Sequence, residues 1–149
     1  MKTLWQQRTR EELLARERRL TPASEARWGK FTVDRMLAHV VDGFHMAMGD
    51  IATKPKRVPI PIDRWPLNVL FIHVVGMPKH APTAPELLSR APLAIDGELR
   101  ELESQMARFA SMAERTDWPA HPFFGRLSRR SWGVLGYKHL DHHLRQFGV

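Results

Sequence analysis

Histidine holds most of the reactive capacity of this chain. Its 149 residues include eight histidines and no cysteine. Disulfides, thiolate metal sites, iron–sulfur clusters and cysteine nucleophiles are therefore excluded, while imidazole and carboxylate chemistry stay open. His139 and His143 stand four residues apart in a segment where Trp132, Leu135, Gly136, Leu140, Leu144 and Phe147 fall on the same helical arc. Imidazoles at that spacing project side by side toward a helical interior, where each unpaired ring would cost about 1 to 3 kcal/mol. A divalent cation would satisfy both. The i, i+4 pair is the spacing of helical zinc sites, and a third ligand completes a set with a coordination position to spare.

The third candidate ligand is His39, at the margin of an apolar stripe it shares with Gly43 and Met46, a small residue and a flexible one. Asp42 follows three residues later and close in angle, so it is the candidate to orient an imidazole or to handle a proton. Gln146, on the inward side of the last helix, is the candidate to donate to a ligand or to bound water. His142 falls at the edge of the arc and is assigned a supporting or surface role. His45, His73, His80 and His121 are assigned to surface, loop or packing positions.

These residues need helices to hold them. Residues 3–20 are rich in Leu, Arg and Glu without Pro or Gly, which predicts a first helix with Leu13, Leu14 and Leu20 inward. Thr21-Pro22 predicts a short helical turn that Gly29 stops. Thr32 is the cap expected for a second helix reaching about Asp50, with Met36, Leu37, Val40, Val41, Phe44 and Met48 on its buried face. Eight of the eleven prolines fall between Pro55 and Pro92, so that stretch reads as a crossover, with 67–75 as a short helix inside it. Residues 92–115 repeat apolar side chains at alternating spacings of four and three. Ser128 is the cap expected for a last helix to Phe147. No alternating strand pattern occurs, so the expected fold is one all-α domain over 1–149: a four-helix bundle with a long proline-rich crossover between helices two and three.

Lys and Arg exceed Asp and Glu by 23 to 16, which gives a net charge of +7 and a pI near 10.5. That balance permits attraction to nucleic acid or acidic small molecules, and a basic helical nucleic-acid-binding module is the alternative reading. The basic clusters lack the interleaved aromatics of single-strand binders, which counts against it. The most apolar run, 67–77, is far shorter than the ~20 residues needed to cross a bilayer, so no membrane partner is expected. The amino-terminal residues do not read as a secretory signal, and the expected location is cytoplasmic.

The segment His121-Pro122-Phe123-Phe124-Gly125-Arg126-Leu127-Ser128, then Trp132, then Tyr137 to Gly148, resembles the DinB-like (YfiT-like) metal-binding bundles, within a branch known as a domain of unknown function. Trp28-Gly29-Lys30 and Met36-Leu37-Ala38-His39 are similar to that superfamily's second-helix region. The resemblance implies a four-helix bundle holding a divalent metal, zinc or nickel, on His39, His139 and His143. It also implies a small-molecule substrate, with a low-molecular-weight thiol or water as nucleophile in a metal-dependent transferase or hydrolase, and homodimers among its members. A metal-binding protein without catalysis is the remaining reading. With no cysteine in the chain, any sulfur nucleophile must come from outside.

Overall fold

Eleven residues of high helix propensity form the first helix, α1 (Gln7–Glu17), shorter at both ends than the composition suggests. The chain before it is held by packing: Leu4 is fully buried and its N–H donates to the Gly133 carbonyl. After Thr21-Pro22 one turn closes, Ser24 N–H donating to Thr21 O at 2.9 Å, but it does not run on as helix. That connection runs as turns and bends to the second helix, α2 (Val33–Met48), because Arg27 N–H donates outward to Gln146 O at 2.7 Å instead of closing a local helical bond. Thr32 stands at the amino-terminal cap of α2 without a side-chain bond to the helix, and Gly49 ends it at φ +97°.

The crossover holds a short helix, α3 (Leu67–His73), and a single 3-10 turn at Pro85–Leu88. Then come α4 (Ile95–Ser111) and α5 (Arg129–Gln146), the latter capped by Ser128, whose Oγ accepts from Ser131 N–H at 3.1 Å. The computed structural model describes residues 1–75, 77–79 and 81–149; His80 lies outside the described residues. Among these residues the chain is all-helical, with five α-helices, no strand, and one isolated bridge between His121 and Gly125. No helix among them is long and apolar enough to cross a membrane.

One apolar core joins the helices. α2 packs mainly on α4, while α5 touches α1, α2 and α3. Met36, Leu37, Leu102, Met106, Phe109, Leu140 and Leu144 are almost wholly buried within it. The crossover is pinned to this core by charge. The Arg90 guanidinium donates to Asp42 Oδ1 at 2.7 Å and to both oxygens of Glu98 at 2.6 and 2.8 Å, and it also reaches the Ala38 carbonyl. Both carboxylates are buried, so Arg90 compensates two charges that would otherwise be stranded between α2 and α4.

One carboxyl has no such partner. Glu17, 1% exposed, has an unbonded Oε2, and burial with Glu103 nearby pushes its pKa up to about 8. A carboxyl raised above its ordinary 4.5 favours the fold while protonated and withdraws that stability as pH climbs from about 4.5 to about 8. Glu17→Gln should therefore stabilise the protein by roughly 2 to 3 kcal/mol at pH 7, with the gain vanishing near pH 4. Denaturant titrations of both proteins at the two pH values check this; parallel pH profiles would contradict it.

Candidate metal centre

α2 and α5 bring His39, His139 and His143 together. The Nε2 atoms of His39 and His139 are 3.0 Å apart, and one ring nitrogen from each of the three lies within 4.8 Å of the others. The rings meet edge to face, with centroids 4.8 to 5.0 Å apart. Gly43 makes the approach possible: a Cβ there would sit 3.3 Å from His139 Cε1, so the small residue on the margin of α2 is the space that the His139 ring fills. Phe31 packs against two of the rings, 5.4 Å from His39 and 6.0 Å from His143.

The protonation pattern follows from the surroundings. Burial lowers His39 to about 4 and His143 to about 3, and holds His139 well below its usual value. All three are neutral at physiological pH, the state in which a ring nitrogen offers a lone pair. For His143 the geometry also selects the tautomer. The Trp28 carbonyl can only accept, so the Gln146 atom 2.7 Å from it must be the amide NH2. Gln146 Oε1 is then the atom 2.8 Å from His143 Nδ1, and Nδ1 must carry the proton. His143 Nε2 is left with its lone pair. Gly29 protects this arrangement: its φ of +80° suits glycine, and a Cβ there would lie 2.8 Å from Gln146 Nε2. His39 Nδ1, by contrast, is buried with no hydrogen-bond partner of good geometry.

Three neutral imidazoles suit a divalent cation: His143 Nε2 has its lone pair free, and His39 Nε2 and His139 Nε2, which share one proton between them at 3.0 Å, would exchange that proton for the metal. Two nitrogens bound to one zinc at about 2.0 to 2.1 Å stand roughly 3.0 to 3.4 Å apart, the separation already present between His39 and His139. The widest separation in the cluster would have to close by about 1.5 Å. The cluster lies in the wall of a cavity of about 690 Å³, lined mostly by apolar side chains and roofed by the crossover through Ile62, Phe71, Val75 and Pro82.

The other residues expected at the site are placed as follows. Gln146 is beside the cluster, as the partner of His143. Asp42 is on a different face of α2, engaged with Arg90, and does not line the cavity. The closeness in angle to His39 along one helix did not reveal that competing cation, which comes from 48 residues away. His142 lies against Trp28, edge to face, at the cavity margin. His45 pairs with Asp50 at the surface, and His73 sits 3.1 Å from Ser131 Oγ. His121 is the histidine that sequence reasoning undervalued, since the structure puts it in the cavity wall. The Pro122 and Gly125 turn signals around it mark a loop, and nothing in a linear pattern says what a loop faces.

Residues 7–148 match the family described as "Protein of unknown function (DUF1569)". The chain belongs to the DUF1569 family. No curated protein and no solved structure matches it. The match spans both halves of the histidine cluster, so this DUF1569 chain contributes every ligand candidate from within the family segment.

The tautomer argument is open to direct measurement. In long-range ¹H–¹⁵N spectra of metal-free protein, His143 should be the Nδ1–H form, and Gln146→Leu should give a tautomer mixture or a mobile ring. A His143 protonated on Nε2 in the wild type would contradict the geometry.

Proposed function

We propose that this protein binds one divalent cation through His39, His139 and His143. With it, the protein would act on a small, largely apolar molecule, as a transferase or hydrolase whose nucleophile is an external thiol or water. The observation that carries the reading is the meeting of three neutral imidazoles, His39 and His143 buried and His139 partly so, in the wall of a cavity whose volume falls within the ~300 to 1,000 Å³ range of ligand sites. Zinc and nickel both suit an imidazole set. When bound, the cation would supply Lewis-acid polarisation and make a nucleophile's proton easier to remove. The chain does the positioning. Gln146 holds His143 in the tautomer that leaves Nε2 with its lone pair, Gly43 leaves room for His139, and Phe31 packs beside His39 and His143 in the cavity wall. Three donors beside an open chamber favour a reactive centre over a structural one, which takes four protein ligands.

On architecture, the reading is a DinB-like (YfiT-like) four-helix bundle of α1, α2, α4 and α5, with residues 49–94 as the crossover between the second and third of these. The packing of α2 on α4 and of α5 on α1 and α2 supports it. A nucleic-acid-binding module has less behind it, because Arg16, Arg90, Arg108, Arg115 and Arg129 are all engaged with carboxylates.

Elemental analysis of untagged protein, as purified and after reconstitution, should give about one cation per chain, and His143→Ala should abolish it. Gln146→Leu should weaken metal affinity roughly 10- to 100-fold by releasing the His143 ring. A wild-type protein that stays metal-free after reconstitution would end the reading. Turnover in a panel pairing cellular thiols with a model electrophile, together with hydrolysable esters and amides, should be lost on chelation and in His143→Ala. Activity that survives both would contradict it.

A further inference from the structure

His121 closes its own loop. Its backbone N–H and carbonyl exchange hydrogen bonds with Gly125 at 2.8 and 2.9 Å, and its ring Nδ1 accepts from Phe123 N–H at 3.1 Å and Phe124 N–H at 3.2 Å. Two backbone donors converging on one ring nitrogen leave no room for a proton there. The ring's single proton is therefore on Nε2, on the opposite edge. No acceptor for that N–H occurs among the described residues, and the ring stands in the same cavity wall as His139. Trp132 stands in the same wall, its ring centroid 5.7 Å from that of His121. Trp132 is 2% exposed, and its indole N–H is buried with no partner among the described residues.

A buried donor left unpaired is destabilising, so the Trp132 indole N–H, with the His121 Nε2–H also lacking an acceptor in the same wall of an apolar chamber, marks a place where a ligand supplies the acceptor. We infer that His121 Nε2–H and Trp132 Nε1–H form a neutral hydrogen-bonding anchor that selects apolar ligands bearing an uncharged acceptor oxygen, of the ketone, ester or amide class. Both donors are uncharged. The indole has no proton to lose in the ordinary range, and burial keeps His121 neutral down to about pH 3, so the anchor does not change with pH. A carboxylate entering the same apolar walls would lose its hydration without meeting a compensating charge at the anchor. The loop is itself fixed to the cavity roof, since Lys56 N–H donates to Pro122 O at 2.8 Å and Asn68 Nδ2 to Phe124 O at 3.4 Å. The inference rests on the chamber being a ligand site, as in the proposed function, but not on the presence of a cation.

Three probes of one shape test it on metal-free and metal-loaded protein: 2-acetylnaphthalene, 2-ethylnaphthalene and 2-naphthoate. The ketone should bind roughly 3- to 10-fold tighter than the hydrocarbon, and its carbonyl stretch should move to lower wavenumber on binding, with or without metal. Trp132→Phe keeps the ring and removes the N–H. His121→Asn keeps an acceptor for the two loop N–H groups and removes the Nε2 donor. Each should shrink the ketone preference and move the stretch back, while hydrocarbon affinity stays near wild type. Equal affinity for ketone and hydrocarbon in the wild type, an unshifted stretch, or preference for the naphthoate would overturn the anchor. Failure of all three probes to bind would overturn it together with the chamber reading, whereas absence of metal uptake alone would leave it standing.

Discussion

Imidazole rings inside a protein must either find partners or stay neutral, and that constraint organises this structure. Placing His39, His139 and His143 together between α2 and α5 takes most of the water from the three rings, and that desolvation keeps them uncharged. A cluster of three protonated rings could not be packed at 5 Å centroid spacing; a cluster of neutral rings can, provided each nitrogen is assigned a role. Gln146 and the Trp28 carbonyl make that assignment for His143. The connection before α2 is consequently tied to the end of α5, through Arg27 N–H on Gln146 O as well as through the amide itself. A loop with no regular structure thus fixes the chemistry of a helix.

The crossover is the second part of the device. Eight prolines prevent it from continuing either neighbouring helix, and it is held by polar contacts at several points: Arg90 with Asp42 and Glu98, Lys56 with Glu86, and Lys138 Nζ on the Val75 carbonyl. Anchoring at its edges lets its apolar residues face inward as the roof of a chamber without having to fill it. The histidine cluster, the anchor on the 121–125 loop and the roof therefore meet in one space, although their residues come from across the whole chain.

Much of this was legible in the sequence. His139 and His143 declare themselves because helical periodicity puts two polar rings on an apolar arc, and Ser128 and the seam of α4 follow from equally local rules. His39 was legible more faintly, as a third candidate at the margin of the α2 stripe that the resemblance to metal-binding bundles also implied, and its marginal place is explained by a neighbour that periodicity cannot see. What could not be read depends on contacts distant in sequence. Asp42 is drawn away by Arg90, the chain after the Pro22 turn is tied at Arg27 to the end of α5 rather than running on as helix, and His121 becomes a wall residue because its loop packs against Trp132 of α5. Glycines 29 and 43 were visible as small residues, but the side chains that need the space are 117 and 96 positions further along.

The central claim is that three imidazoles are arranged in advance for one cation. X-ray absorption at the metal edge of zinc- or nickel-reconstituted protein tests it most directly. The account predicts three nitrogen scatterers at about 2.0 to 2.1 Å for zinc, with the outer-shell pattern of imidazole and the remaining positions filled by light atoms from outside the chain. A shell of carboxylate oxygens without imidazole, or one unchanged when His139 and His143 are replaced by alanine, would contradict it.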